Sequence, residues 1–188
     1  MHSFIRQAVV LSLFSGFLIA GGMASRAQSL RAVDIEAEEQ QAETLIEAGI
    51  NTERARLAPG AGRLASDSAL ERMARERSYD MAHGAPFAHE DEKGRFVAAE
   101  MVKKNFGPYG AIGENIMMER DDARAFDPGA FARRAVRGWM NSEGHRANIL
   151  AERYNRAGVG VVIEGSYAYA TQLFWGPARP PLGASRGR

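Results

Sequence analysis

Two segments decide how this chain folds: Gly113-Glu114-Asn115-Ile116, and, one helix later, Trp139-Met140-Asn141-Ser142-Glu143-Gly144-His145-Arg146-Ala147-Asn148-Ile149-Leu150. The first lies in an apolar run from Ile112 to Met118, the length of a strand. An acid inside such a run is unusual, because an isolated carboxylate is expensive to bury. Glu114 therefore needs a cation, a donor or an open cleft. The neighbouring Asn115 reads as a structural amide that ties adjacent backbone together. Between the segments, Asp127-Pro128 starts a helix, with the acid as N-cap and proline in the first turn. Phe131, Ala132, Ala135, Val136 and Trp139 recur every three or four residues as its core stripe, which leaves Arg133, Arg134 and Arg137 for solvent. Asn141-Ser142 interrupts this helix. Ser142 is placed to cap the next one, with His145 in its first turn. A hydroxyl engaged in capping is a poor nucleophile, so Ser142 is read as scaffold.

Upstream, the pattern from Asp34 to about Leu57 is helical: Ile46, Ile50 and Leu57 share one face, with acids early and Arg54 and Arg56 late. Pro59-Gly60-Ala61-Gly62 breaks the chain. A second helix is expected from Ser68, whose spacing to Glu71 makes a capping box, with Leu70, Met73, Ala74, Arg77 and Met81 on one stripe. His83 ends that helix, where a histidine complements the helix dipole. His89 follows in a loop. Its neighbours do not form a zinc-protease motif, since no second histidine stands at helical spacing. A third helix is expected over 94–107. Downstream, the alternation from Val159 to Ile163, a Gly165-Ser166 turn and the return from Tyr167 to Phe174 predict a hairpin. Helices followed by mixed short strands and helices give an α+β domain.

Composition sets the bounds. A chain of 188 residues with 45% hydrophobic content can bury one real core. A formal charge of +1 with no concentrated basic face argues against nucleic acid as a partner. Residues 1–27 read as a secretory signal: Arg6, an apolar run from Ala8 to Ala20, and Ser25-Arg26-Ala27 before Gln28. That run is shorter than the roughly 20 residues needed to span a bilayer, so no stable membrane span is expected after cleavage. Removing 2 of the 24 basic residues and none of the 23 acidic leaves 22 against 23, a net charge of −1. The absence of cysteine excludes disulfides and lipoprotein attachment. The expected organisation is a signal over 1–27, a helical lead-in over 28–41, a domain over 42–175 and a disordered Pro- and Gly-rich tail over 176–188.

Phe87-Ala88-His89, Gly113-Glu114-Asn115-Ile116, the run from Trp139 to Leu150 and Tyr169-Ala170-Thr171-Gln172-Leu173-Phe174 keep an order and spacing that resemble the CAP superfamily, or SCP domain, in its bacterial, cysteine-free secreted branch. The resemblance covers roughly residues 42–175. It implies an α-β-α sandwich with a small antiparallel sheet between helices, and a secreted or periplasmic location. It matches His89 to the first histidine of the family's cleft and Glu114 to its first acid. Where the family places a second acid this chain has Ser142, with Glu143 adjacent. Where it places a second histidine this chain has Tyr169, and His145 belongs to a Gly-His-Arg variant. Zinc binding is known in the family.

His89, Glu114 and His145 supply two imidazoles and a carboxylate. Such a set could hold a divalent metal such as zinc, or work as an acid–base pair without one. The expected ligand-binding residues are His89, Glu114, His145 and Tyr169. Two function classes follow. One is a non-catalytic cleft-binding module for a metal, lipid or envelope-derived ligand. The other is a peptidase-like envelope hydrolase in which His145 and Glu114 activate water. The lack of a nucleophile with a base at recognisable spacing favours the binding module.

Overall fold

Gly158 and Gly160 show how the layers meet. A Cβ on Gly158 would stand 2.2 Å from the Glu71 nitrogen, and one on Gly160 would stand 2.0 Å from that of Arg75. A helix therefore rests directly on strand backbone there, and only glycine leaves room.

In the computed structural model, residues 15–107, 110–120 and 126–178 are described, with side chains from Ser29 onward. The elements are α1 (Ser15–Leu57), a 3-10 turn (Pro59–Ala61), β1 (Ala65–Ser66), α2 (Ser68–Ala82), α3 (Val97–Phe106), β2 (Ala111–Arg120), α4 (Pro128–Asn141), α5 (Glu143–Leu150), β3 (Arg156–Glu164) and β4 (Tyr167–Gly176). The chain divides into two compact units, residues 1–37 and 38–188. The first carries the N-terminal part of α1, and the second carries every other element. The start of the expected signal, up to Phe14, and the tail from 179 onward lie outside the described residues. Helix α1 begins well before the expected Asp34 and runs through Ser25-Arg26-Ala27. Among the described residues, no helix is long and apolar enough to cross a membrane.

The strands lie in the order β1-β3-β4-β2, giving an α-β-α sandwich. The long strands pair antiparallel, but the two-residue β1 joins β3 in parallel, so the sheet is mixed rather than wholly antiparallel. Alternation along each strand divides the core. On one face Ala168, Ala170 and Phe174 pack with Ile46 and Ile50 of α1 and Phe131, Ala135 and Trp139 of α4. On the other, Leu173 packs with Leu70 and Met73 of α2 and Ala98 and Val102 of α3.

Both edges of the sheet are sealed by side chains. Along β3, beyond the short β1, Glu43 accepts from the Val161 N–H at 2.9 Å and Glu39 from the Ile163 N–H at 2.7 Å, while Glu47 lies against the Val159 N–H. Four residues of helix rise about 6 Å and two residues of strand about 6.6 Å, so glutamates at every fourth position of α1 meet alternate amides of β3. Along β2 the carbonyls of Ile112, Glu114 and Ile116 accept from Tyr154 Oη (2.9 Å), Asn148 Nδ2 (3.1 Å) and Trp139 Nε1 (3.0 Å). An edge strand left bare would offer these groups to another chain.

Two local expectations change. Helix α2 is capped by Asp67, whose carboxylate accepts from the Ala69 and Leu70 amides, and Ser68 is its first helical residue. Arg54 is not a dipole-complementing surface residue but is fully buried. Its guanidinium donates to the carbonyls of Ala61 (2.8 Å), Gly62 (2.9 Å), Ile149 (2.5 Å), Ala151 (3.1 Å) and Tyr154 (3.3 Å). Burial lowers its pKa, yet an arginine stays charged in proteins. Each buried carbonyl left without a donor costs about 1–3 kcal/mol. Arg54→Met should therefore lose at least about 3 kcal/mol in urea unfolding. A loss below about 1 kcal/mol would show that water replaces the guanidinium.

Candidate functional site

Three elements converge at the outer edge of β2. Arg77 stands on the apolar stripe of α2 and is buried, so it needs an acceptor. It has two. Its Nε lies 3.1 Å from Glu114 Oε1, and its Nη2 donates to the Ala88 carbonyl just before His89. Glu114, only 3% exposed, spends its other oxygen on His89, with Oε2 2.7 Å from Nδ1. The carboxylate in the strand thus has both the cation and the donor that its burial requires.

The His89 loop is braced by its own bonds. The His89 carbonyl accepts from the Val97 N–H at 3.1 Å, and the ring meets Phe96 edge-on. Asp91 accepts from the Lys93 and Arg95 amides and from the Arg95 side chain. Those Arg95 bonds, backbone first, hold its carboxyl down at about 2. His89 lines the cleft with Nδ1 committed to Glu114.

His145 arrives from the opposite face of the sheet. Asn115 donates to its carbonyl at 3.2 Å and accepts from Asn148 Nδ2 at 3.1 Å, while Asn148 also holds the Glu114 carbonyl. The buried amide of Asn115 is therefore the tie its sequence setting suggests. Gly113 lets this segment close, since a Cβ there would stand 2.6 Å from Tyr154 Oη. The His89 and His145 rings end 5.8 Å apart between centroids. They border a cleft of about 480 Å³ whose walls include Phe96, Glu114, Ser142 and Arg153. Burial first, and then the neighbouring His89, push His145 below the ordinary imidazole range, against a weaker opposing pull from Glu114.

Of the residues expected at the site, His89, Glu114 and His145 line this cleft, and Tyr169 does not. Register explains why: Leu173 stands opposite Glu114, while Tyr169 stands opposite Met118. Four strand residues displace it by about 13 Å. Glu143 borders a separate surface depression with Met140 and Arg146. His83 stacks on Tyr79 at the end of α2. Ser142 occupies the N-cap position of α5, but its hydroxyl makes no capping bond, and the residue lines the cleft. Sequence reasoning passed over Arg77 and Asn148. The signals were an arginine on an apolar stripe, and an amide one turn beyond His145.

The three residues do not fit the zinc site that the resemblance implies. Among the described residues, no group of three or more His, Cys, Asp or Glu is placed to hold a metal ion. The chemical cause is that both Glu114 oxygens are already engaged, which leaves two imidazoles where a zinc site needs three or four protein ligands.

The profile of CAP, the cysteine-rich secretory protein family, matches residues 49–175. The chain belongs to this family. It is 35% identical over 101 residues to the uncharacterized protein YkwD of Bacillus subtilis (strain 168), a match covering 53% of this chain and 35% of that one. The chain spans about a third of the length of the curated relatives it matches. Among solved structures, an extracellular SCP-domain protein of Bacillus anthracis str. Ames superposes with a TM-score of 0.55 at 27% identity, covering 77% of this chain and 41% of that one. An outer surface protein of Borrelia burgdorferi shares the fold with a TM-score of 0.60 at 16% identity, covering 72% of this chain and 92% of that one.

Two outcomes test this geometry. Arg77→Leu strands a buried carboxylate and should cost about 3–5 kcal/mol, whereas Arg77→Leu with Glu114→Leu should recover most of the loss. Urea unfolding of the four proteins in the cycle measures it, and equal losses in the single and double variants would dissolve the pair. His145 is lowered in the fold, so between its unfolded pKa near 6.5 and its folded one the unfolded chain binds more protons. Its contribution is present above about pH 6.5 and is lost as pH falls through the folded pKa. The melting temperature should drop more over that interval in the parent than in His145→Gln, and parallel curves would contradict the shift.

Proposed function

We propose that this CAP domain is an exported, non-catalytic binding module. It holds a small envelope-derived ligand between His89 and His145, with Glu114 and Arg77 setting the geometry from behind. The observation that carries this reading is the commitment of both Glu114 oxygens, which leaves the cleft without a free carboxylate to activate water. A buried carboxylate behind an imidazole fixes ring orientation and tautomer, which suits hydrogen-bonded recognition. Ser142 and Arg153 add a hydroxyl and a cation to the same wall. A cleft of this volume suits a small ligand. Hydroxyl, amide and carboxylate groups together are the chemistry of a peptidoglycan fragment. Export is supported by the signal-like pattern of residues 1–27 and by the extracellular protein among the similar structures.

The second reading, an envelope hydrolase, draws on one observation: the uncapped Ser142 hydroxyl shares the cleft with two imidazoles.

The test is titration of the mature protein with soluble muropeptides by calorimetry, alongside assays for peptide and ester hydrolysis. Saturable binding should disappear in His145→Ala with little change in melting temperature, because His145 contacts the Asn115 tie through its backbone carbonyl, and in His89→Ala with a lower melting temperature, because Glu114 Oε2 loses its donor. Turnover by the parent that vanishes in a folded His145→Ala protein would make the chain a hydrolase. Failure of the parent to bind any fragment would remove this ligand class.

A further inference from the structure

Arg153 lines the histidine cleft from the segment between α5 and β3. Its backbone is held from outside, because a Cβ on Gly176 would overlap the Arg153 carbonyl and only glycine lets the end of β4 lie there. Its guanidinium lies over the Tyr154 ring, with Cζ 4.7 Å from the centroid. That ring is a fixed platform. Tyr154 is buried, stacks on Phe174, and donates its hydroxyl to the Ile112 carbonyl at 2.9 Å. A guanidinium resting flat on an aromatic face is pre-organised, and its five donors lie in its own plane.

The charge on this wall is lopsided. Among the described residues that line the cleft, Glu114 is the one acid, and Arg77 and His89 hold both of its oxygens. The acids flanking α5 turn elsewhere. Glu143 borders the separate depression with Arg146, and Glu152 reaches the Pro59–Ala61 turn, its Oε1 3.7 Å from where a Cβ on Gly60 would stand. Among the described residues, no acid pairs with Arg153. Two imidazoles and a guanidinium around a carboxylate that is already engaged favour an anion in the cleft.

Taking this cleft as the ligand site of the binding module, we propose that it selects acids: a carboxylate of the ligand is held by Arg153, and the corresponding amide is rejected. The planar fork of a guanidinium matches a carboxylate with two parallel, charge-assisted hydrogen bonds, which a neutral amide cannot reproduce. Arg153 is then the specificity residue, and the histidines bind the remainder of the ligand. In a peptidoglycan stem peptide the carboxylate is the chain end or a side-chain acid. Both present the same chemistry, and an amide bond removes either. A module with this preference binds stems whose carboxylates are still free.

The experiment titrates the full chain by calorimetry with three forms of one disaccharide tetrapeptide. One has every carboxylate free, one is amidated at the chain end alone, and one is amidated at the side-chain carboxylates alone. Amidation of the carboxylate that Arg153 holds should weaken binding at least about ten-fold, since hydrogen bonds to charged groups are worth about that factor or more. The form that shows the loss identifies which carboxylate it is. Arg153→Gln should bind all three forms alike, at the level of the weakest, and keep the parent's melting temperature because the position is exposed. Arg153→Lys, which keeps the charge without the fork, should retain only part of the preference. Equal binding of the three forms by the parent would overturn the proposal and leave the binding-module reading standing. A preference that survives in Arg153→Gln would overturn it too, as would a parallel loss of all three forms in that variant, which would make Arg153 structural. Failure of the parent to bind any form would end both readings.

Discussion

A sheet whose edges must not stay bare is the constraint from which the rest of this domain follows. Strand β2 has a neighbour on one side only, and its outward carbonyls at Ile112, Glu114 and Ile116 need donors. Those donors come from Tyr154, Asn148 and Trp139, so α5 and its flanks are drawn against the edge. Once α5 is there, His145 must face whatever the other side of the strand presents. That is His89, held by Glu114 and the Arg77 beneath it. The cleft is thus a product of edge sealing, and the residues that seal it are the ones that place the imidazoles. The opposite edge is sealed by the inverse chemistry, glutamate oxygens of α1 on amides of β3.

The same frame explains why family membership does not settle chemistry here. A fold carries several functions, and the site decides among them. In this chain a buried arginine takes one oxygen of the strand carboxylate and an imidazole takes the other. The acid is therefore held from both sides. The same cleft is lined by imidazole, hydroxyl and guanidinium residues, His89, His145, Ser142 and Arg153.

Much of this was legible in the sequence, for reasons that can be named. The stripe of α4, its Asp127 cap and the hairpin turn at Gly165 are local patterns, and local patterns survive into structure. The acid inside an apolar run announced that Glu114 needed partners. It could not say which, because Arg77 lies 37 residues away on a different element and looks from periodicity alone like part of a scaffold stripe. Tyr169 shows the converse. Its place in a motif suggested the site, but strand register put Leu173 opposite Glu114 instead. Ser142 has the backbone of a cap without the hydroxyl's bond, a difference set by side-chain orientation that spacing cannot encode. Asp67 displaced Ser68 as a cap by one residue, within the usual ambiguity of helix starts.

Arg54 has a consequence for the order in which the chain acquires structure. Two of its carbonyl partners lie within eight residues, but the other three, at Ile149, Ala151 and Tyr154, lie 95 to 100 residues downstream. A charge that must be buried against partners so distant cannot be buried early, since its desolvation is offset only when those carbonyls arrive. The cradle around Arg54 is therefore complete only when residues 149–154 are in place, and completing it closes a loop of about a hundred residues. A chain made from its N-terminus must extend through Tyr154 before the last of those carbonyls can reach the guanidinium.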